Sequence, residues 1–175
     1  MELNALKRSL SRYELGVCLI ILSILFYYAI EKISEVSVYT EQTGIEVMLR
    51  NMQSNLNLYK SEKLISGNLM QMADMIHANP VGTIFPRPRN YAGEYDVPDP
   101  SDFSPGDWYF DRTNGYLVYM VIHGDRFSSK LPPPPRIRLT LEPAYVDRNN
   151  NGIFDRDVDR FSGLILKKVD TYGWK

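Results

Sequence analysis

The sequence predicts an α+β protein: a long N-terminal helix that spans a membrane and continues beyond it, packed on a small C-terminal antiparallel β-sheet. Three observations carry this expectation. Residues 15–30 contain no charged side chain. From Ile33 to Tyr59 apolar residues recur at spacings of three and four, a helical period. After residue 107 the period shortens to two and aromatic and β-branched residues take over, as in strands.

The chain has 175 residues, enough for one domain with an extension. Its 20 basic and 21 acidic side chains leave a net charge of −1, which argues against a basic nucleic-acid binder. Cys18 is the single cysteine, so an intramolecular disulfide and a cysteine zinc cluster are both excluded. His77 and His123 are the only histidines, which limits the supply of general bases.

Residues 1–12 form a short basic leader with Lys7, Arg8 and Arg12, and the excess of cations keeps this end in the cytoplasm. Residues 13–30 follow as the transmembrane helix. At about 1.5 Å per residue they reach about 27 Å, close to the thickness of a hydrocarbon core. A signal peptide would end in small residues before a cleavage site, whereas this run ends Phe26-Tyr27-Tyr28-Ala29-Ile30. A soluble helix would show a polar face, and this one offers only Ser23. Glu14 stands at the lip of the span, where a carboxylate is either hydrated at the interface or paired with a cation of another subunit.

Residues 31–79 form the outer, amphipathic helical segment, with Ile33, Val36, Ile45, Met48, Leu49, Met52, Leu56 and Tyr59 on its apolar side. The expectation is one helix from about residue 6 to about residue 62, with Gly44 as a weak point. A second, shorter helix is expected over residues 63–77, jointed at Ser66-Gly67-Asn68 with Asn68 as its N-cap and His77 as a C-terminal cap. Asn79-Pro80 ends it. Residues 80–106 are a proline- and tyrosine-rich loop laid over the domain, because Ile84, Phe85, Tyr91, Tyr95 and Phe103 are available to pack. Residues 107–175 are the sheet domain, of about four antiparallel strands. Asn114-Gly115 turns a hairpin over residues 107–123. Residues 136–142 alternate as a half-buried strand, residues 163–169 form the last one, and the run Pro132 to Pro135 is a spacer between strands. Trp108 and Trp174 are expected as core or edge aromatics.

The clearest chemical motif is a candidate calcium loop. Asp147, Asn149 and Asn151 place oxygen side chains at first, third and fifth positions, and Gly152 is sixth. The main-chain carbonyl of Ile153 is seventh and Asp155 is ninth. The twelfth position, which should carry a bidentate acid, is Val158, with Asp157 and Asp159 on either side. The competing reading is an Asn-Gly turn with solvated acids. No nucleophile, base and orienter stand at recognisable spacing, and no glycine-rich phosphate loop is present, so the chain is not expected to be an enzyme.

The order of these parts resembles the type IV pilins and type II secretion pseudopilins. Lys7-Arg8-Ser9 followed by Leu10-Ser11-Arg12-Tyr13-Glu14 is similar to the family's leader junction, where a small residue precedes an apolar first residue and glutamate stands fifth. Asn79-Pro80, the run Pro86-Arg87-Pro88-Arg89-Asn90-Tyr91-Ala92-Gly93-Glu94, and Trp108-Tyr109-Phe110-Asp111 before Leu117-Val118-Tyr119 resemble minor pilin-like proteins of MSHA-type pilus biogenesis. The resemblance implies a single-pass protein of a bacterial inner membrane with its C-terminal domain in the periplasm. It implies a minor pilus or secretion-filament subunit that assembles through its N-terminal helix. Ser9 and Leu10 would be the cleavage junction, and Glu14 the assembly residue. Partners would be other pilin or pseudopilin subunits, the inner-membrane assembly platform and the lipid bilayer, with no nucleic acid and no small-molecule substrate. Some pseudopilins hold calcium in the C-terminal sheet, so the resemblance agrees with calcium as a cofactor. Ser9 stands where the family normally has glycine. An uncleaved, membrane-anchored periplasmic adaptor of the assembly platform is therefore the alternative.

Overall fold

The computed structural model of the protein describes residues 12–175. Most of the expected leader, including Lys7 and Arg8, and the junction at Ser9 and Leu10 lie outside the described residues. The chain divides into two compact units between Thr40 and Glu41. One helix, α1 (Arg12–Ile65), runs through that division, and Gly44 sits within it without a break.

In the first unit α1 is long and apolar enough to cross a membrane. Its large apolar side chains up to Ile30 are exposed on every side, from 50% at Leu22 to 88% at Tyr13. The hydroxyl of Ser23 donates to the Leu19 carbonyl at 2.8 Å, so this polar group is satisfied inside the helix. Charge returns with Glu31 and Lys32, and Lys32 pairs with Glu35 at 2.7 Å.

In the second unit α1 turns one face inward. Ile45, Met52 and Leu56 are buried, with Met48, Leu49 and Tyr59 beside them. Burying each such side chain contributes roughly 1.5–3 kcal/mol. The helix ends in a Schellman arrangement: Asn68 N–H donates to the Lys63 carbonyl at 2.8 Å and Gly67 N–H to the Leu64 carbonyl at 3.2 Å. Gly67 supplies the left-handed residue at φ 72°. The expected second α-helix is corrected here. Residues 63–65 belong to α1, and the next element is a short 3-10 helix, Leu69–Met75. Asn68 occupies its N-cap position without a side-chain capping bond. The segment is held by burial of Met72 rather than by helical repetition.

The strands are β1 (Tyr91–Tyr95), β2 (Trp108–Asp111), β3 (Tyr116–Met120), β4 (Phe127–Ser129), β5 (Arg136–Val146), β6 (Arg160–Lys168) and β7 (Tyr172–Trp174). Five of them form one sheet in the order β1-β2-β3-β5-β6, and β4 pairs with β7 in a second. The expected hairpin is β2-β3, with Trp108 opposite Tyr119 and Asp111 opposite Tyr116. Asp111 shapes its turn by accepting from Thr113 N–H at 3.0 Å and from the Asn114 side chain at 2.7 Å. The two later strands pair as β5-β6, with a bulge between Ala144 and Tyr145. The sheet is larger than expected. β1 lies within the segment expected as loop and runs parallel to β2, so the sheet is not wholly antiparallel.

Alternation sends Trp108, Phe110, Leu117, Tyr119, Ile137, Leu139 and Leu141 to the face covered by α1 of this unit. The other face buries Tyr109, Val118 and Met120 beneath Phe103, whose ring stacks on Tyr109 at 3.9 Å between centroids. The proline-rich segment is therefore laid over the domain, with Ile84 and Phe85 buried as well.

Candidate functional site

Three features can carry chemistry or contacts: Glu14 in the first unit, and a buried carboxylate and an acidic loop in the second. Glu14 stands in the first turn of α1 and is exposed.

The buried carboxylate is Glu41, and nothing in the sequence marked it. Its side chain is only 4% exposed. Helical repetition puts it near the inner face of α1, at the height where β3 ends. Tyr119 OH donates to Oε1 at 2.9 Å and Ile122 N–H to the same oxygen at 2.7 Å. His123 N–H donates to Oε2 at 2.9 Å, and the His123 ring Nδ1 lies 2.6 Å from that oxygen. Main-chain donors, a phenol and an imidazole together replace the water the carboxylate loses. Burial, followed by the charge of Glu41 and the hydrogen bond to it, raises the pKa of Tyr119 well above its ordinary value. His123 therefore meets the carboxylate through both its main-chain N–H and its ring. His77 does not cap a helix as expected: its backbone is left-handed at φ 55°, and its ring Nδ1 lies 3.1 Å from Thr140 Oγ1.

The acidic loop joins β5 to β6. Gly152 N–H donates to Asp147 Oδ2 at 2.8 Å, which closes the tight turn that glycine permits at φ 75°. The other oxygen, Asp147 Oδ1, is buried and has no hydrogen-bond partner among the described residues. Asn149 Oδ1 accepts from Asn151 N–H at 3.2 Å and Asn151 Oδ1 from Ile153 N–H at 2.8 Å. The amides of Asn149 and Asn151 both donate to Asp155 Oδ2, at 2.7 and 2.8 Å. Asp159 is buried and receives Arg148 N–H at 2.9 Å and Asp155 N–H at 2.8 Å. Asp157 is exposed, and among the described residues no hydrogen bond ties it to the loop. The structure thus gathers Asp147, Asn149, Asn151, Asp155 and Asp159, and leaves Asp157 outside. Among the described residues no three acidic, histidine or cysteine side chains already stand close enough to hold a metal ion. Arg156 ties the loop to the 3-10 helix, pairing with Asp74 at 2.8 Å.

The aliphatic side chains of Leu49, Leu139 and Leu166 also line a groove of about 320 Å³ rimmed by Glu46, Arg50, Gln53 and Lys168. No family model, curated protein or solved structure matches the chain.

Proposed function

We propose that the chain is a non-enzymatic, minor pilin- or pseudopilin-like subunit. Residues 13–30 would anchor it in a bacterial inner membrane with the sheet domain in the periplasm, and α1 would carry it into a type IV pilus or type II secretion filament. The observation that carries this reading is the outward stripe of α1 in the second unit. Val47, Asn51, Ser54, Leu58, Ser61 and Ile65 repeat at helical spacing, all are exposed, and none is charged. Val47 is 44%, Leu58 70% and Ile65 89% exposed. A helix that served only as an anchor would gain solubility from charge on this face, whereas a helix that packs beside others needs small and apolar groups there. In the membrane half, Gly16 and Ser23 are seven residues apart on one face and allow close helix approach. Glu14 would meet a cation of a neighbouring subunit, and the sheet domain would set partner specificity.

The test uses the full chain in cells that build the filament. Leu58→Glu and Glu14→Leu should each remain in the membrane fraction and be lost from sheared filaments. Normal incorporation of both variants would overturn the reading. Intact mass separates the alternative: loss of residues 1–9 that depends on prepilin peptidase fits a filament subunit. A full-length mass with and without the peptidase fits an uncleaved anchored adaptor.

A further inference from the structure

β6 closes one end of the five-stranded sheet, and among the described residues no strand pairs with its outer side. Val169 N–H donates to the Arg138 carbonyl at 2.9 Å. Leu141 lies opposite Leu166 and turns its own carbonyl the other way, to His77 N–H at 3.2 Å. Alternation from these two bonds turns the main-chain N–H and C=O of Leu164, Leu166 and Lys168 to the open edge. Among the described residues no hydrogen bond from another segment reaches them there. The opposite edge, β1, is better protected. It is five residues long, and the carbonyls of Tyr91 and Ala92 already accept from the Arg87 side chain and the Tyr95 hydroxyl. Natural sheets blunt a free edge by such means. The nine residues of β6 contain no proline to do so.

The side chains of the same three residues lie on the face toward α1. Leu164 is buried in the core there, and Leu166 and Lys168 line the groove of about 320 Å³ with Leu49 and Leu139. The groove is thus the place where the core runs out to the open edge. Its rim carries two cations, Arg50 and Lys168, against one carboxylate, Glu46. Among the described residues no carboxylate pairs with either cation. A third cation, Lys60, lies across Gly163 of β6, with its Cδ 3.1 Å from the place a Cβ would take. We propose that the β6 edge takes an extended segment of a partner protein as an added strand. The inward side chains of that segment, two residues apart, would be an acid facing Lys60, a large apolar group on Leu49 and Leu166, and an acid facing Arg50 and Lys168. Main-chain hydrogen bonds to the edge would hold the strand, and the groove would select its sequence. The cations would reject a basic segment. The site lies wholly in the second unit, so it holds for a filament subunit and for an anchored adaptor alike.

The probe is the fluorescein-labelled peptide Thr-Glu-Thr-Phe-Thr-Glu-Thr, which reads the same in both directions and so suits either strand polarity. Titrated with the full chain in detergent micelles, its anisotropy should give a Kd of about 100 μM or tighter. The same peptide with Lys in place of Glu should bind at least about tenfold more weakly. Arg50→Glu, at an exposed helix position, should weaken the Glu peptide by a similar factor and improve the Lys peptide. Lys168→Pro removes an edge donor without touching the β5 ladder, and should weaken binding more than Lys168→Ala does. Hydrogen exchange supplies the signature of strand addition: the amides of Leu166 and Lys168 should slow when the peptide is bound. A Kd weaker than about 1 mM for the Glu peptide would overturn the proposal. So would equal binding of the two peptides. So would binding that leaves both amides unprotected, as an acidic amphiphile lying in the groove alone would do.

Discussion

Replacing Glu41 by alanine tests how the second unit holds its stretch of α1. The carboxylate accepts from Tyr119 OH, Ile122 N–H and His123 N–H and contacts the His123 ring, all within 2.6–2.9 Å. Alanine leaves those donors without an acceptor in a place that water scarcely reaches. Hydrogen bonds to a charged group contribute about 1.5–3 kcal/mol each, but bonds on one carboxylate do not add. Part of the loss is offset because a buried charge is also removed. The expected net destabilisation is about 3–5 kcal/mol. Glu41→Gln keeps one acceptor but turns an N–H2 toward donors, and should fall between wild type and alanine. Urea unfolding of the full chain in micelles, followed by tryptophan fluorescence, reports the effect directly. The Trp108 ring lies 4.9 Å from that of Tyr119 and senses loss of this packing. A double-mutant cycle with Tyr119→Phe should give a coupling of at least about 1 kcal/mol. A Glu41→Ala loss below about 0.5 kcal/mol, the size of an ordinary surface substitution, would refute the claim that this carboxylate clamps the helix to the end of β3.

Two further predictions concern the sheet. Gly115 sits at φ 67°, and a Cβ there would lie 2.6 Å from the Cβ of His77, so Gly115→Ala should destabilise by roughly 2 kcal/mol or more in the same urea assay. Burial pushes the Tyr109 hydroxyl up to about 12, whereas an unfolded tyrosine ionises near pH 10. A raised folded pKa means its contribution is complete below about pH 10 and fades as pH climbs toward about 12. Roughly 2–3 kcal/mol should disappear across that window. Tyr119 acts in the same direction. Tyr109→Phe should flatten the alkaline slope, and an unchanged slope would count against burial as its cause.

Much of this fold is local in origin, and what is local could be read from the chain. The apolar run up to Ile30 and the three-four spacing after it specify α1 because each residue contributes through neighbours one turn away. The Asn114-Gly115 turn specifies β2-β3 in the same way, with Asp111 bonding its own turn. Oxygen side chains at Asp147, Asn149 and Asn151, with Gly152 next, made the loop visible as a motif, and its near neighbours do fold onto one another.

What the chain alone left open is what distant contacts decide. β1 has the unpromising sequence Tyr91-Ala92-Gly93-Glu94-Tyr95, and it is a strand because β2 offers it a free edge. The three-residue β4 and β7 have too little sequence to signal anything, and they exist by pairing with each other. The 3-10 form of Leu69–Met75 follows from seating Met72 in the core rather than from propensity. Glu41 looks like any polar residue of an amphipathic helix. It becomes a buried acceptor only when β3 brings Tyr119 and His123, 78 and 82 residues away along the chain, against it. The burial of Asp159 and the exposure of Asp157 are of the same kind, since Val158 N–H and Asp159 N–H fold back onto the Asp155 carbonyl and turn Asp159 inward. Helical period, turn chemistry and motif spacing are properties of neighbouring residues and were fully present in the sequence. Pairing partners and the environment of a buried charge are properties of chain closure, and only the tertiary structure could decide them.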